Sequence, residues 1–126
     1  MRIALLALMS ALSCTQAPQV VERVRVVVLN PEFRVLRTID DATALAEFTR
    51  LWQTRERVDS GPLDLSEYDV ALDIAANHGS GRWFYRTDGL TTLLSVKSGN
   101  IYRVQDAGSL NTLLRLEAKP RLSGQP

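Results

Sequence analysis

Cysteine and histidine are almost missing from this 126-residue chain, which has one of each, Cys14 and His78. A lone cysteine excludes an intrachain disulfide, so packing and hydrogen bonds must hold the fold together. A lone histidine excludes zinc sites built from several imidazoles and routes any triad or imidazole base through His78. Net charge is missing too: 15 Lys+Arg stand against 14 Asp+Glu, and removal of a leader carrying Arg2 would leave 14 against 14. That balance lacks the basic footprint by which proteins release counterions from nucleic acid, so no nucleic-acid partner is expected. Lysine is scarce, with only Lys97 and Lys119 among the basic residues. The arginine excess suits bidentate forks to carboxylate or phosphate, but scattered along the chain it reads first as solvated surface.

The composition is that of an ordinary folded chain, with 45% hydrophobic and 23% charged residues, well away from the polar, highly charged composition of disordered segments. The expected organisation is a leader at 1–13, a cysteine and short tether at 14–19, one domain at 20–117 and a flexible tail at 118–126. A domain of roughly 100 residues builds one modest core and leaves little room for a deep, water-free active site. Surface binding is the easier task for it.

At the N-terminus, Arg2 supplies one positive charge ahead of the apolar stretch Ile3 to Leu12. About ten residues is the length of a signal-peptide core, whereas a bilayer span needs roughly 20. Ser13 and Cys14 close it. Ala11-Leu12-Ser13-Cys14 resembles the lipobox of bacterial lipoproteins, departing from it at Ala11, where Leu is usual, and at Leu12, where a small residue is. The resemblance implies cleavage before Cys14, lipid on its thiol and acylation of its freed amine. Ordinary cleavage near Ala17 is the alternative. Thr15 after the cysteine, where the family's inner-membrane members have Asp, implies delivery to the periplasmic face of the outer membrane. Several acyl chains at about 0.8 kcal/mol per buried CH₂ make a stable anchor, which a single chain does not.

Beyond the tether, β-branched Val20 to Leu29 predicts a strand ended by Asn30-Pro31, and Glu32 to Thr38 a second strand paired with it as a hairpin. Asp40 or Asp41 caps a helix over Ala42 to Gln53, with Leu45, Phe48, Leu51 and Trp52 on one face. Thr54 to Glu67 reads as a long polar loop. Tyr68, Val70, Leu72 and Ile74 alternate with Asp69, Ala71, Asp73 and Ala75, the clearest strand in the chain. A turn over Asn77 to Gly81 leads into Arg82 to Thr87, and Asp88-Gly89 turns again. Strands at Leu90 to Val96 and Ile101 to Val104 complete a meander, and Asp106 caps a closing helix with Leu110, Leu113 and Leu114 on one face. The expected fold is α+β, in the order β-β-α-β-β-β-β-α, with an antiparallel sheet of about five to six strands and both helices on one face.

No catalytic set, cofactor motif or metal-ligand spacing stands out, so no cofactor and no metal are expected. Asp69 and Asp73 project to one strand face about 13 Å apart at ~3.3 Å per residue, too far for one metal or one glycosidic bond. With Ala71 between them they read as an exposed polar face. Gly79-Ser80-Gly81 lacks the strand-then-helix setting of a phosphate loop. Trp83 and Tyr85, flanked by Arg82 and Arg86, form the one candidate ligand surface, suited to a sugar ring or peptide, although aromatic strand residues pack into cores more often than not. Ser98-Gly99-Asn100-Ile101-Tyr102 is similar to a segment of membrane-bound c-type lysozyme inhibitors, which are also envelope lipoproteins; those are β-barrels without the two helices expected here. The leading expectation is therefore a non-enzymatic, membrane-anchored binding or structural module with a protein or glycan partner in the envelope. Two alternatives are an inhibitor of a lysozyme-like hydrolase, and a small hydrolase using Asp64, Asp69 or Asp73 with His78.

Overall fold

The computed structural model describes residues 20–30, 32–58, 64–94 and 100–119. The leader, Cys14 and the tether lie outside them, as do Ser98 and Gly99.

The alternating run after Tyr68 becomes strand β4, Val70–Ala76, and its apolar face decides where everything else packs. On one side β4 pairs with β1, Val21–Val28, which in turn pairs with β2, Val35–Ile39. On the other side follow β5, Gly79–Tyr85, then β6, Leu90–Leu93, and β7, Ile101–Arg103. A further short strand, β3, Glu56–Val58, closes the edge against β7. All pairings are antiparallel, and the seven strands lie in the order β2-β1-β4-β5-β6-β7-β3.

Among the described residues, two helices cover one face of this sheet. Helix α1, Ala42–Trp52, starts at Asp41, whose carboxylate accepts from the Ala44 N–H at 2.9 Å. Helix α2, Ala107–Leu114, starts at Asp106, which accepts from the Ser109 N–H at 3.0 Å. Phe48, Leu51 and Trp52 from α1, and Leu110 and Leu114 from α2, meet Val24, Val26, Val70, Leu72, Ile74 and Tyr85 from the sheet in one core. Fully burying each of these large side chains contributes about 1.5–3 kcal/mol. A buried polar bridge ties α2 down: the Tyr85 hydroxyl donates to Asn111 Oδ1 at 2.5 Å, and Asn111 Nδ2 donates to the Thr87 carbonyl at 2.8 Å. Both partners gain from burial here because neither is left with a stranded polar group.

The fold class is thus α+β, with an antiparallel sheet and both helices on one face, as the periodicity implies. The described residues form seven strands, where five to six are expected from the sequence. The extra one is β3, inside the stretch that reads as a loop from Thr54 to Glu67, where a 3-10 turn at Leu65–Glu67 also forms. Its residues, Glu-Arg-Val, carry no alternation to announce a strand, and its ladder is supplied by β7 far along the chain. The Asn77 to Gly81 turn is shorter than expected, since Gly79, Ser80 and Gly81 already pair with Ala76, Ala75 and Ile74. The strand expected at Leu90 to Val96 ends at Leu93. At the C-terminal end, Lys119 is held rather than free: its N–H donates to Thr87 Oγ1 at 3.0 Å.

Candidate functional site

The four residues expected to form one surface are divided between the two sides of the sheet. Tyr85 is fully buried in the core beneath α2, and burial pushes its phenol above its ordinary pKa. Trp83, half-buried, shares that helix-covered side. Arg82 and Arg86 engage carboxylates instead: Arg82 forks onto Asp73 with bonds of 2.6 and 2.8 Å, and Arg86 onto Asp88 with bonds of 2.9 and 2.6 Å. Strand alternation made this division inevitable, because neighbours on a strand face opposite ways.

The acids weighed for catalysis are likewise engaged. Asp73 holds Arg82, and Asp69, with only 5% of its side chain exposed, accepts from the Thr87 N–H at 2.8 Å and lies 3.3 Å from Lys119 Nζ. Ala71, between them, is buried against Val27, Tyr68 and Phe84, so the expected exposed polar face is instead a small second core flanked by ion pairs. Asp64 leads into the 3-10 turn, where its N–H donates to Glu67 Oε2 at 3.3 Å. His78 is exposed at the β4–β5 turn. No group of three or more His, Cys, Asp or Glu is placed to hold a metal ion among the described residues. Tyr102, from the inhibitor-like segment, packs edge-on against Trp83 with centroids 6.1 Å apart rather than projecting on a loop.

A different constellation takes shape where α1 ends. Thr54 turns the chain there, its hydroxyl donating to the Leu51 carbonyl at 2.7 Å while its Oγ1 accepts from the Gln105 N–H at 3.2 Å. The Arg55 N–H donates to the Trp52 carbonyl at 3.3 Å, which folds Arg55 back over the helix terminus. Its guanidinium carbon then lies 4.4 Å from the Trp52 ring centroid, 4.7 Å from that of Trp83 and 5.9 Å from that of Tyr102. The two tryptophans meet edge to face, with centroids 5.3 Å apart at 87°, and Phe48 stacks behind Trp52 at 5.3 Å. One helix, one turn and two strands therefore converge on a single cation.

Arg55 is half-buried, and its Nη1 is closed off from solvent with no hydrogen-bond partner. Desolvation by burial lowers its pKa from the ordinary arginine value. Cation–π attraction contributes about 0.5–2 kcal/mol toward holding the group, but ring faces do not replace the acceptors that a guanidinium has in water. Beside it opens a cleft of about 220 Å³ lined by Trp52, Trp83, Val21, Gly81, Leu93 and His78, among others. Gly81 keeps the cleft open: a Cβ there would sit 3.1 Å from Leu93 Cδ1 and 3.7 Å from Trp83 Nε1. Among the described residues no carboxylate lines the cleft.

Sequence reasoning takes Trp52 as core and Gly81 as a turn glycine, and it passes over Arg55 within an apparent loop. The available signal was the Trp52-x-x-Arg55 spacing at a helix end, which becomes meaningful only once Trp83 is known to lie opposite. The cleft also lies where the chain enters the domain, since the Val20 N–H donates to Asn77 Oδ1 at 2.8 Å and Val21 forms part of the wall. No protein-family model, curated protein or solved structure matches the chain. Among the described residues no helix is long and apolar enough to cross a membrane.

Proposed function

We propose that the chain is a bacterial envelope lipoprotein, exported by residues 1–13 and anchored through lipid on Cys14, whose domain is a non-enzymatic binding module with the Arg55 cleft as its site. The observation that carries the binding reading is Arg55 itself, a half-buried cation on three aromatic rings with an unpartnered nitrogen and, among the described residues, no carboxylate in the cleft. Cation, ring faces and a glycine-made gap suit recognition. Among the described residues the lining holds Ser80 and His78 with no hydrogen bond joining them as nucleophile and base, which favours binding over hydrolysis.

The address rests on the lipobox resemblance around Cys14. A tether of six residues, 14–19, reaches at most about 20 Å at ~3.3–3.6 Å per residue, so the cleft beside Val21 would stay near the membrane surface. A partner in the envelope, protein or glycan, would be met there.

Two measurements test the two halves of this proposal. Cells expressing the chain are grown with labelled palmitate, and label is expected on the native protein and absent from Cys14→Ala; equal labelling of both would end the lipoprotein reading. A fragment screen by ¹H–¹⁵N NMR is expected to shift resonances at the Trp52, Arg55, Gly81 and Trp83 cluster. Shifts confined to another surface would end the cleft reading.

A further inference from the structure

From the chemistry of the cleft we infer that its ligand presents a single carboxylate to Arg55, attached to a small flat or apolar group that lies against Trp83. This deepens the binding reading above and rests on the cleft being the site.

The first argument is charge. Among the described residues Arg55 has no acid as hydrogen-bond or ion-pair partner, whereas Arg50, Arg82 and Arg86 each do, with Glu47, Asp73 and Asp88 respectively. A half-buried ion without a counter-charge is costly, and an anion bound in the cleft would supply one. Among the described residues Arg55 is the one arginine or lysine lining the cleft, and the further side-chain donors are His78, Ser80 and the indole N–H groups of Trp52 and Trp83. A monoanion with two oxygens in one plane matches a single guanidinium fork. A phosphate monoester, with about two negative charges, would leave charge unmatched by the single guanidinium.

The second argument is shape. At about 220 Å³ the cleft is smaller than the roughly 300–1,000 Å³ of sites that enclose whole small molecules. It accepts an end group rather than a complete ligand. The apolar part of the wall is Trp52, Trp83, Ile74, Val21 and Leu93, with His78 and Ser80 on the polar side, and the space above Trp83 exists because position 81 has no side chain. An end group that fits is a carboxylate carrying one ring or short aliphatic arm, as at the C-terminus of a peptide or in a small organic acid.

Trp52 and Trp83 are the protein's two tryptophans and both border the cleft, so intrinsic fluorescence reads occupancy directly. The full-length chain in mild detergent is titrated with N-acetyl-phenylalanine, benzoate, N-acetyl-phenylalaninamide and phenyl phosphate. The expected result is saturable binding of the first two, with the amide and the phosphate at least tenfold weaker. N-acetyl-phenylalanine binding tighter than benzoate points to a peptide terminus as the source; the reverse order points to a small organic acid. Arg55→Met is expected to abolish the preference for acid over amide, and Gly81→Val to abolish binding of both, with unchanged ¹H–¹⁵N spectral dispersion showing that the variants remain folded. Should Arg55→Met not fold, the acid-to-amide ratio on the unaltered chain decides alone. Equal affinity for acid and amide, with both lost in Gly81→Val, would overturn the carboxylate inference while leaving the cleft as a site. No saturable response to any of the four compounds would overturn both.

Discussion

Arg55 and Arg82 differ in what surrounds their charge. Arg82, on the open face, is doubly bonded to Asp73 and has Phe33 packed 5.0 Å from its guanidinium carbon, with about a third of each paired side chain exposed. Arg55, on the helix-covered face, has only rings. The first arrangement is complete in itself. The second is electrostatically unfinished, and such a site is a candidate for recognition because a ligand can supply what the fold has not. The contrast extends to the faces themselves: one carries a continuous core under two helices, the other a small cluster of Val27, Tyr68, Ala71 and Phe84 with ion pairs beside it.

The largest effect should come from the covered face. Phe48, fully buried behind Trp52, is expected on truncation to alanine to cost about 3–5 kcal/mol in urea unfolding. It should also loosen the Arg55 cage, seen as a red shift of tryptophan emission; a cost below about 1 kcal/mol would mean that the covered face is not the principal core. Next comes the polar bridge. Asn111→Ala strands the Tyr85 hydroxyl and the Thr87 carbonyl, for an expected loss of about 1–3 kcal/mol per buried group left unpaired.

Alkaline titration sharpens the same comparison through Tyr85 and Tyr68. Burial holds both phenols above their ordinary value of 10.0 in the folded protein. A group whose folded pKa is raised favours the folded state fully below its unfolded pKa and loses that contribution as pH rises past it. Stability should therefore fall above pH about 10, and phenolate absorbance from Tyr85 should appear only with unfolding. Early, reversible ionisation of all three tyrosines would contradict the buried placement.

The smallest effects belong to the open face. Asp73→Asn is expected to cost under about 1 kcal/mol, and less at high salt, because the pair with Arg82 is partly exposed. Arg55→Met is expected to change stability by a similarly small amount, since it removes ring contacts and a stranded nitrogen together. A loss of more than about 2 kcal/mol would instead make Arg55 a structural pin, worth more than a cation–π contact supplies.

Much of the architecture can be read from local pattern. The alternation from Tyr68, the helical spacing of Leu45, Phe48, Leu51 and Trp52, and the caps at Asp41 and Asp106 all reappear where periodicity places them. Strand β3 does not, because three residues with no apolar rhythm become a strand only when β7 offers them a ladder. Asn111 also escapes notice: a polar residue beside Leu110 reads as helix surface until Tyr85 is found beneath it. The cleft was the least legible element. Trp83 could be singled out as an aromatic on a strand, but its companions Trp52, Arg55 and Tyr102 come from separate parts of the chain.

By itself, then, the sequence determined the layers of this protein, because the repeats of two and of 3.6 residues are properties of neighbouring positions, and it raised the expectation of export and lipid attachment at Cys14. Only the tertiary structure decided that Arg55 lies on aromatic rings rather than on an acid, since Trp83 and Tyr102 arrive from other strands, and what the missing side chain at position 81 leaves open, a space bounded by Leu93 and Trp83.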